Sequence, residues 1–106
     1  MKLLLDECLP HKFRNHFPSH EVHTATWAGF GGLKNGALLK AAENAGYDVL
    51  ISVDKGIPHQ NDWQRRRVAL INERARSNDL CDLIPLVGEI TIALERIRPG
   101  EVVEIP

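Results

Sequence analysis

The chain has 106 residues, of which 43% are hydrophobic and 25% charged, and its formal net charge is -1. That size supports one modest core and a single domain over residues 1–106, while the near-neutral balance without a long single-sign run argues against a strongly electropositive nucleic-acid binder or a charged disordered tail. Cys8 and Cys81 show no CxxC or Cys/His ligand spacing, which argues against a zinc motif and a disulfide-dense scaffold and favours reduced thiols.

Residues 2–6 (KLLLD) form a short apolar run whose length, and the following Pro10, favour a buried strand ending at Asp6. The three leucines are too few for a signal-peptide core and no segment has the apolar length of a membrane span, so a cytoplasmic, membrane-free protein is expected. Pro10 suits the first turn of a helix ending near Pro18, with Phe13 and Phe17 on one face. HEVHTAT (20–26) reads as a second strand, WAGFGGLKNG as a glycine-rich loop, and ALLKAAENAGY (37–47) as a helix closed by Gly46. DVLISVD (48–54) is a third strand, again ending in aspartate. GIPHQNDWQ is a loop, and RRRVALIN (65–72) brings a fourth apolar run. Asp79 can cap a helix carrying Leu80, Leu83, Ile84, Val87, Ile90, Leu94 and Ile97, with Pro85 tolerated only if it starts the regular part. Pro99-Gly100 turns into EVVEI, a last strand. The alternation predicts an α/β three-layer sandwich with a mostly parallel sheet of about five strands.

In such sheets ligands sit beyond the carboxyl ends of the strands, where strand order reverses, and Asp6 and Asp54 both occupy such ends. Two carboxylates brought close there need a cation or a shared proton between them, and Mg²⁺ is served by one or two carboxylates while keeping several waters. The plain alternative is that Asp6 and Glu7 supply negative charge and a cap at the start of the Pro10 helix.

LLLDECLP, the His-Glu-Val-His strand, GLKNGALLKAAENAGYDVL and LISVDKG together resemble the small PIN-like proteins, relatives of the VapC-type toxin ribonucleases, over roughly the first 56 residues in order and spacing. The resemblance implies a PIN-like fold, Asp6 and Asp54 as catalytic ligands of Mg²⁺ or Mn²⁺, and hydrolysis of an RNA phosphodiester by the toxin of a toxin-antitoxin pair. Implied partners are RNA, an antitoxin protein and, as a homodimer, a second copy. Relatives usually carry acidic residues where this chain has Lys34-Asn35-Gly36, and often an aspartate where it has Gly56. Glu7, Glu43 and Asp62 are the candidate substitutes as metal ligands.

For nucleic-acid contact the best surface is the loop after strand three: Lys55, Arg65, Arg66 and Arg67 for phosphate and Trp63 for a base, against the alternative of solvated arginines and a tryptophan packed on the core edge. Two other classes of function use the same residues. A catalytically degenerate PIN-like module would bind RNA or a protein without chemistry. A receiver-like phospho-acceptor domain would use the Asp6-Glu7 pair, Asp54 and Pro58, although the chain offers no hydroxyl after strand four and no lysine after strand five.

Overall fold

Five short apolar runs, several of them rich in β-branched residues, become strands: β1 (Lys2–Leu5), β2 (Glu21–Thr24), β3 (Val49–Ser52), β4 (Ala69–Glu73) and β5 (Val102–Ile105). They form one sheet in the order β2-β1-β3-β4-β5, with every neighbouring pair parallel. The computed structural model describes residues 1–54, 56–57 and 63–106. Leu3 and Leu5 join Val49, Ile51, Ala69 and Ile71 in one core layer, whereas Leu4, Leu50 and Leu70 face the other way into a second. A sheet buried on both faces needs apolar residues at consecutive positions, which is why LLL and VLI show no alternation.

The first layer is closed by a 3-10 helix (His11–His16) and by the helices α2 (Leu80–Leu83) and α3 (Val87–Arg96); the second is closed by α1 (Asn35–Asn44). Helix α1 stops in a two-bond C-terminal motif: Tyr47 N–H reaches Ala42 O and Gly46 N–H reaches Glu43 O, with Gly46 at φ +82°. Among the described residues no helix is long and apolar enough to cross a membrane.

Two helices differ from expectation. The segment after Pro10 is 3-10 rather than α, since it spans only six residues with no side-chain cap and no acidic residue in its first turn. Phe13 and Phe17 are nonetheless buried, edge to face at 5.2 Å. The long helix expected from Asp79 to Ile97 is divided by a 3-10 turn (Ile84–Leu86) containing Pro85, and the regular part starts at Val87. Proline lacks the N–H that would continue α2 and its ring crowds the carbonyl four residues back. Leu83, Ile90, Leu94 and Ile97 keep the core stripe, while Ile84 turns out to solvent.

The turn into β5 depends on Gly100. Its φ is +76°, and a Cβ there would lie 2.7 Å from Trp63 O and 2.8 Å from Arg66 O, both backbone atoms. Gly100→Ala is therefore expected to destabilise the fold by about 3 kcal/mol, from a left-handed backbone plus overpacking. Urea unfolding checks this, and a change below about 0.5 kcal/mol, the usual range for a neutral surface substitution, would contradict it.

Candidate functional site

Where the chain leaves β1 and β3, polar side chains replace the leucines and isoleucines of the second layer. Leu5 pairs with Ile51, and Ser52 with Asn72, so Asp6, Ser52 and Asn72 stand side by side at the carboxyl edge of the three central strands. All three are buried: Asp6 is 7% exposed, Ser52 0% and Asn72 3%. The large majority of polar groups at such depth are paired. Ser52 Oγ donates to Asp6 Oδ2 at 2.7 Å and accepts from Asp54 N–H at 3.0 Å, so one hydroxyl ties the two strand ends together. Glu7 N–H donates to Asp6 Oδ1 at 2.8 Å, Gly56 N–H to Asp54 Oδ1 at 2.9 Å, and Asn72 Nδ2 to Asp54 O at 2.8 Å.

Asp6, Glu7 and Asp54 line one cleft of about 270 Å³, together with Cys8, Lys34 and the apolar Leu33, Leu38, Val53 and Ile57. It lies between β1 and β3, which are followed by segments on opposite faces: the 3-10 helix packs on the first layer and Ile57 on the second. This is the reversal point at which open α/β sheets place their ligands. Burial pushes the Cys8 thiol above its usual range; a hydrogen bond to the Val53 backbone opposes the rise and the Asp6 charge adds to it. Cys8 is thus a neutral thiol, not an activated nucleophile.

Among the described residues no three or more His, Cys, Asp or Glu are grouped to hold a metal ion. The donors in the cleft suit a different kind of site. Asp6 and Asp54 each have an oxygen engaged by a backbone N–H, which fixes the carboxylate while leaving lone pairs for a hard cation that keeps most of its waters.

The other sequence candidates separate from this pair. Helix α1 runs back against the strands, so its first residues meet the cleft and its last turn lies at the amino edge, where Lys2 Nζ donates to Ala45 O. Glu43 belongs to that far end, away from the cleft that Asp6 and Asp54 line, and ties α1 to the start of β4. Its carboxylate accepts from Arg66 Nη1 at 2.8 Å and from the N–H groups of Arg67 at 2.6 Å and Val68 at 3.3 Å. Burial works against its ionisation, but those backbone and guanidinium donors outweigh it and hold the carboxyl below its usual value. Glu43→Ala is expected to cost about 2–3 kcal/mol of stability in urea unfolding and to leave Mn²⁺ affinity unchanged. A loss of metal affinity would return Glu43 to the site.

The arginines lie apart from the two aspartates for the same reason. The β3–β4 connection must return to the amino edge to start a parallel strand, which carries Arg65, Arg66 and Arg67 away from Asp54. Arg66 is held by Glu43, and Trp63 packs against the second core layer beside Gly100. Lys55 and Asp62 lie outside the described residues.

Sequence reasoning gave no site role to Ser52, Asn72 or Glu73. A serine and an asparagine opposite each other near the ends of otherwise apolar strands are the available signal for the first two. Glu73 closes β4 facing the first layer, fully buried, with neither carboxylate oxygen hydrogen-bonded. Burial pushes it up to about 7. No family model, curated protein or solved structure matches the chain, so the site's chemistry is argued from its own geometry.

Proposed function

We propose that this protein is a divalent-metal-dependent ribonuclease of PIN-like type, with Asp6 and Asp54 holding Mg²⁺ or Mn²⁺. The observation that carries this reading is the pair of strand-end aspartates coupled through buried Ser52 in a cleft that also contains Lys34. The ion, when bound, would neutralise phosphate charge and make a coordinated water acidic enough to attack. Everything else falls to the chain. Ser52 Oγ and Glu7 N–H fix the Asp6 carboxylate in one orientation, and Gly56 N–H does so for Asp54. Helix α1 begins at the cleft with no acidic residue in its first turn and with Lys34 as its N-cap, which favours a phosphate there. Glu7 is exposed on the rim with Oε2 accepting from Gly32 N–H at 3.1 Å, so Oε1 can take a proton from water. The toxin role and an antitoxin partner rest on the family resemblance alone.

A mixed RNA pool incubated with the protein and Mn²⁺ or Mg²⁺ should be cut, and EDTA should stop the reaction. Intact RNA under every metal tested would leave a binding module without chemistry.

One observation favours a second reading. The strand order β2-β1-β3-β4-β5 is that of receiver domains, and exposed Asp54 stands where their phospho-acceptor does. The hydroxyl that such a domain needs at the end of β4 has no counterpart: the strand closes on buried Asn72 and Glu73. Acetyl phosphate should therefore not label Asp54, and stoichiometric labelling would favour the receiver reading.

A further inference from the structure

A second, larger cleft of about 580 Å³ opens beyond the carboxyl ends of β1 and the edge strand β2. Glu7 lines both clefts, so the two share a wall. Its other polar and aromatic lining includes His11, Arg14, His23, Thr26 and Trp27. Trp27 is 70% exposed, an expensive position for the largest apolar side chain. One face of the indole lies on the His23 ring, centroids 4.2 Å apart with a 30° tilt. His23 is in turn held by a 2.8 Å hydrogen bond between Nδ1 and Tyr47 Oη, and Tyr47 is buried. An indole backed by a ring on one side and otherwise largely exposed is a stacking platform.

The same cleft also holds a cation. Arg14 is exposed, and among the described residues the ion pairs are His23 with Glu21, Arg66 with Glu43 and Arg74 with Glu104, none involving Arg14. An exposed aromatic face and a guanidinium free of a carboxylate in one cleft match a base joined to a phosphate, and the volume suits one nucleotide.

We propose that this cleft is a nucleotide subsite for single-stranded RNA, in which a base stacks on Trp27 and the adjoining phosphate pairs with Arg14. The inference rests on the ribonuclease reading for its substrate class, and the shared Glu7 wall places this nucleotide next to the one at the Asp6–Asp54 cleft. Binding without preference for one base is expected, because stacking uses a face that every base presents.

The test uses the whole protein in EDTA, so that binding is read without cleavage, with a short mixed-sequence single-stranded RNA and adenosine 5′-monophosphate as probes. The RNA should shift the Trp27 indole N–H resonance, assigned by its loss in Trp27→Phe, and leave that of Trp63 in place. Trp27→Ala should weaken RNA binding by about tenfold or more and Trp27→Phe by less. Arg14→Gln should reduce the salt dependence of RNA binding by the equivalent of one phosphate contact, a slope change of about 0.7. An unmoved Trp27 resonance, or unchanged affinity in Trp27→Ala, would overturn the subsite. So would adenosine monophosphate binding as tightly as the RNA, which would make it a free-nucleotide site. Cleavage with Mn²⁺, assayed separately, keeps the two readings apart: a chain that cuts RNA but fails these tests loses only the subsite, and one that binds through Trp27 but never cuts loses only the nuclease.

Discussion

Asp6→Asn is expected to lower RNA cleavage by more than about 100-fold, with Ser52→Ala lowering it by roughly 10- to 100-fold and Glu43→Ala leaving it unchanged, the ranking expected of a metal-holding carboxylate, its outer-shell support and a distant anchor. Asparagine keeps the shape of Asp6 and one of its two acceptor oxygens, so either Ser52 Oγ or Glu7 N–H keeps its partner and the fold should persist while the charge is lost. Ser52→Ala acts indirectly. It leaves Asp6 Oδ2 and the Asp54 N–H without their shared hydroxyl, which frees both strand ends and costs about 1–3 kcal/mol of stability. Single-turnover cleavage rates at saturating Mn²⁺ check the ranking. If Ser52→Ala matched wild type in rate and metal affinity, the hydroxyl would be a fold determinant only.

Stability should also fall as pH rises through the range in which Glu73 loses its proton. The carboxyl is fully buried, without a hydrogen-bond partner, and burial raises it from 4.5 to about 7. Because the folded state holds the proton more tightly than the unfolded state, the native protein binds more protons between these values and the slope of stability against pH is negative there. The contribution is fully present below about 4.5, declines toward about 7 and is flat above it. The whole span corresponds to about 3 kcal/mol. Glu73→Gln, a neutral residue of the same shape, should lose this slope. Urea unfolding of both proteins at pH 5 and pH 8 should show wild type falling by roughly 2–3 kcal/mol more than the variant. Parallel behaviour would mean that Glu73 finds water or a partner when ionised.

Much of the fold was legible because parallel strands buried on two sides leave an unmistakable apolar run. LLL, VLI and ALI each lack alternation, and each lies in the sheet. That Asp6 and Asp54 line one cleft follows from the same logic, since both end adjacent central strands. Less legible was which end of the sheet a residue reaches. Arg65 to Arg67 are close to Asp54 in sequence but belong to the start of β4, and Glu43, less than three turns into α1, is carried to the amino edge by the helix itself. Sequence distance does not report which end of a sheet a residue reaches. Pro85 marks a break in the helical stripe, but the sequence does not show that a separate short helix and a 3-10 turn precede the regular part at Val87. Trp27 fell within a stretch read only as loop, and its exposure beside His23 depends on a contact between the end of β2 and the following turn.

The central claim is that Asp6 and Asp54 form one cation site. Calorimetric titration of wild type and Asp6→Asn with Mn²⁺ tests it most directly, since it needs neither RNA nor catalysis. Saturable binding near one equivalent in wild type, lost in Asp6→Asn, is the predicted result. Equal binding by both proteins, or none by wild type, would contradict it and make the strand-end aspartates structural.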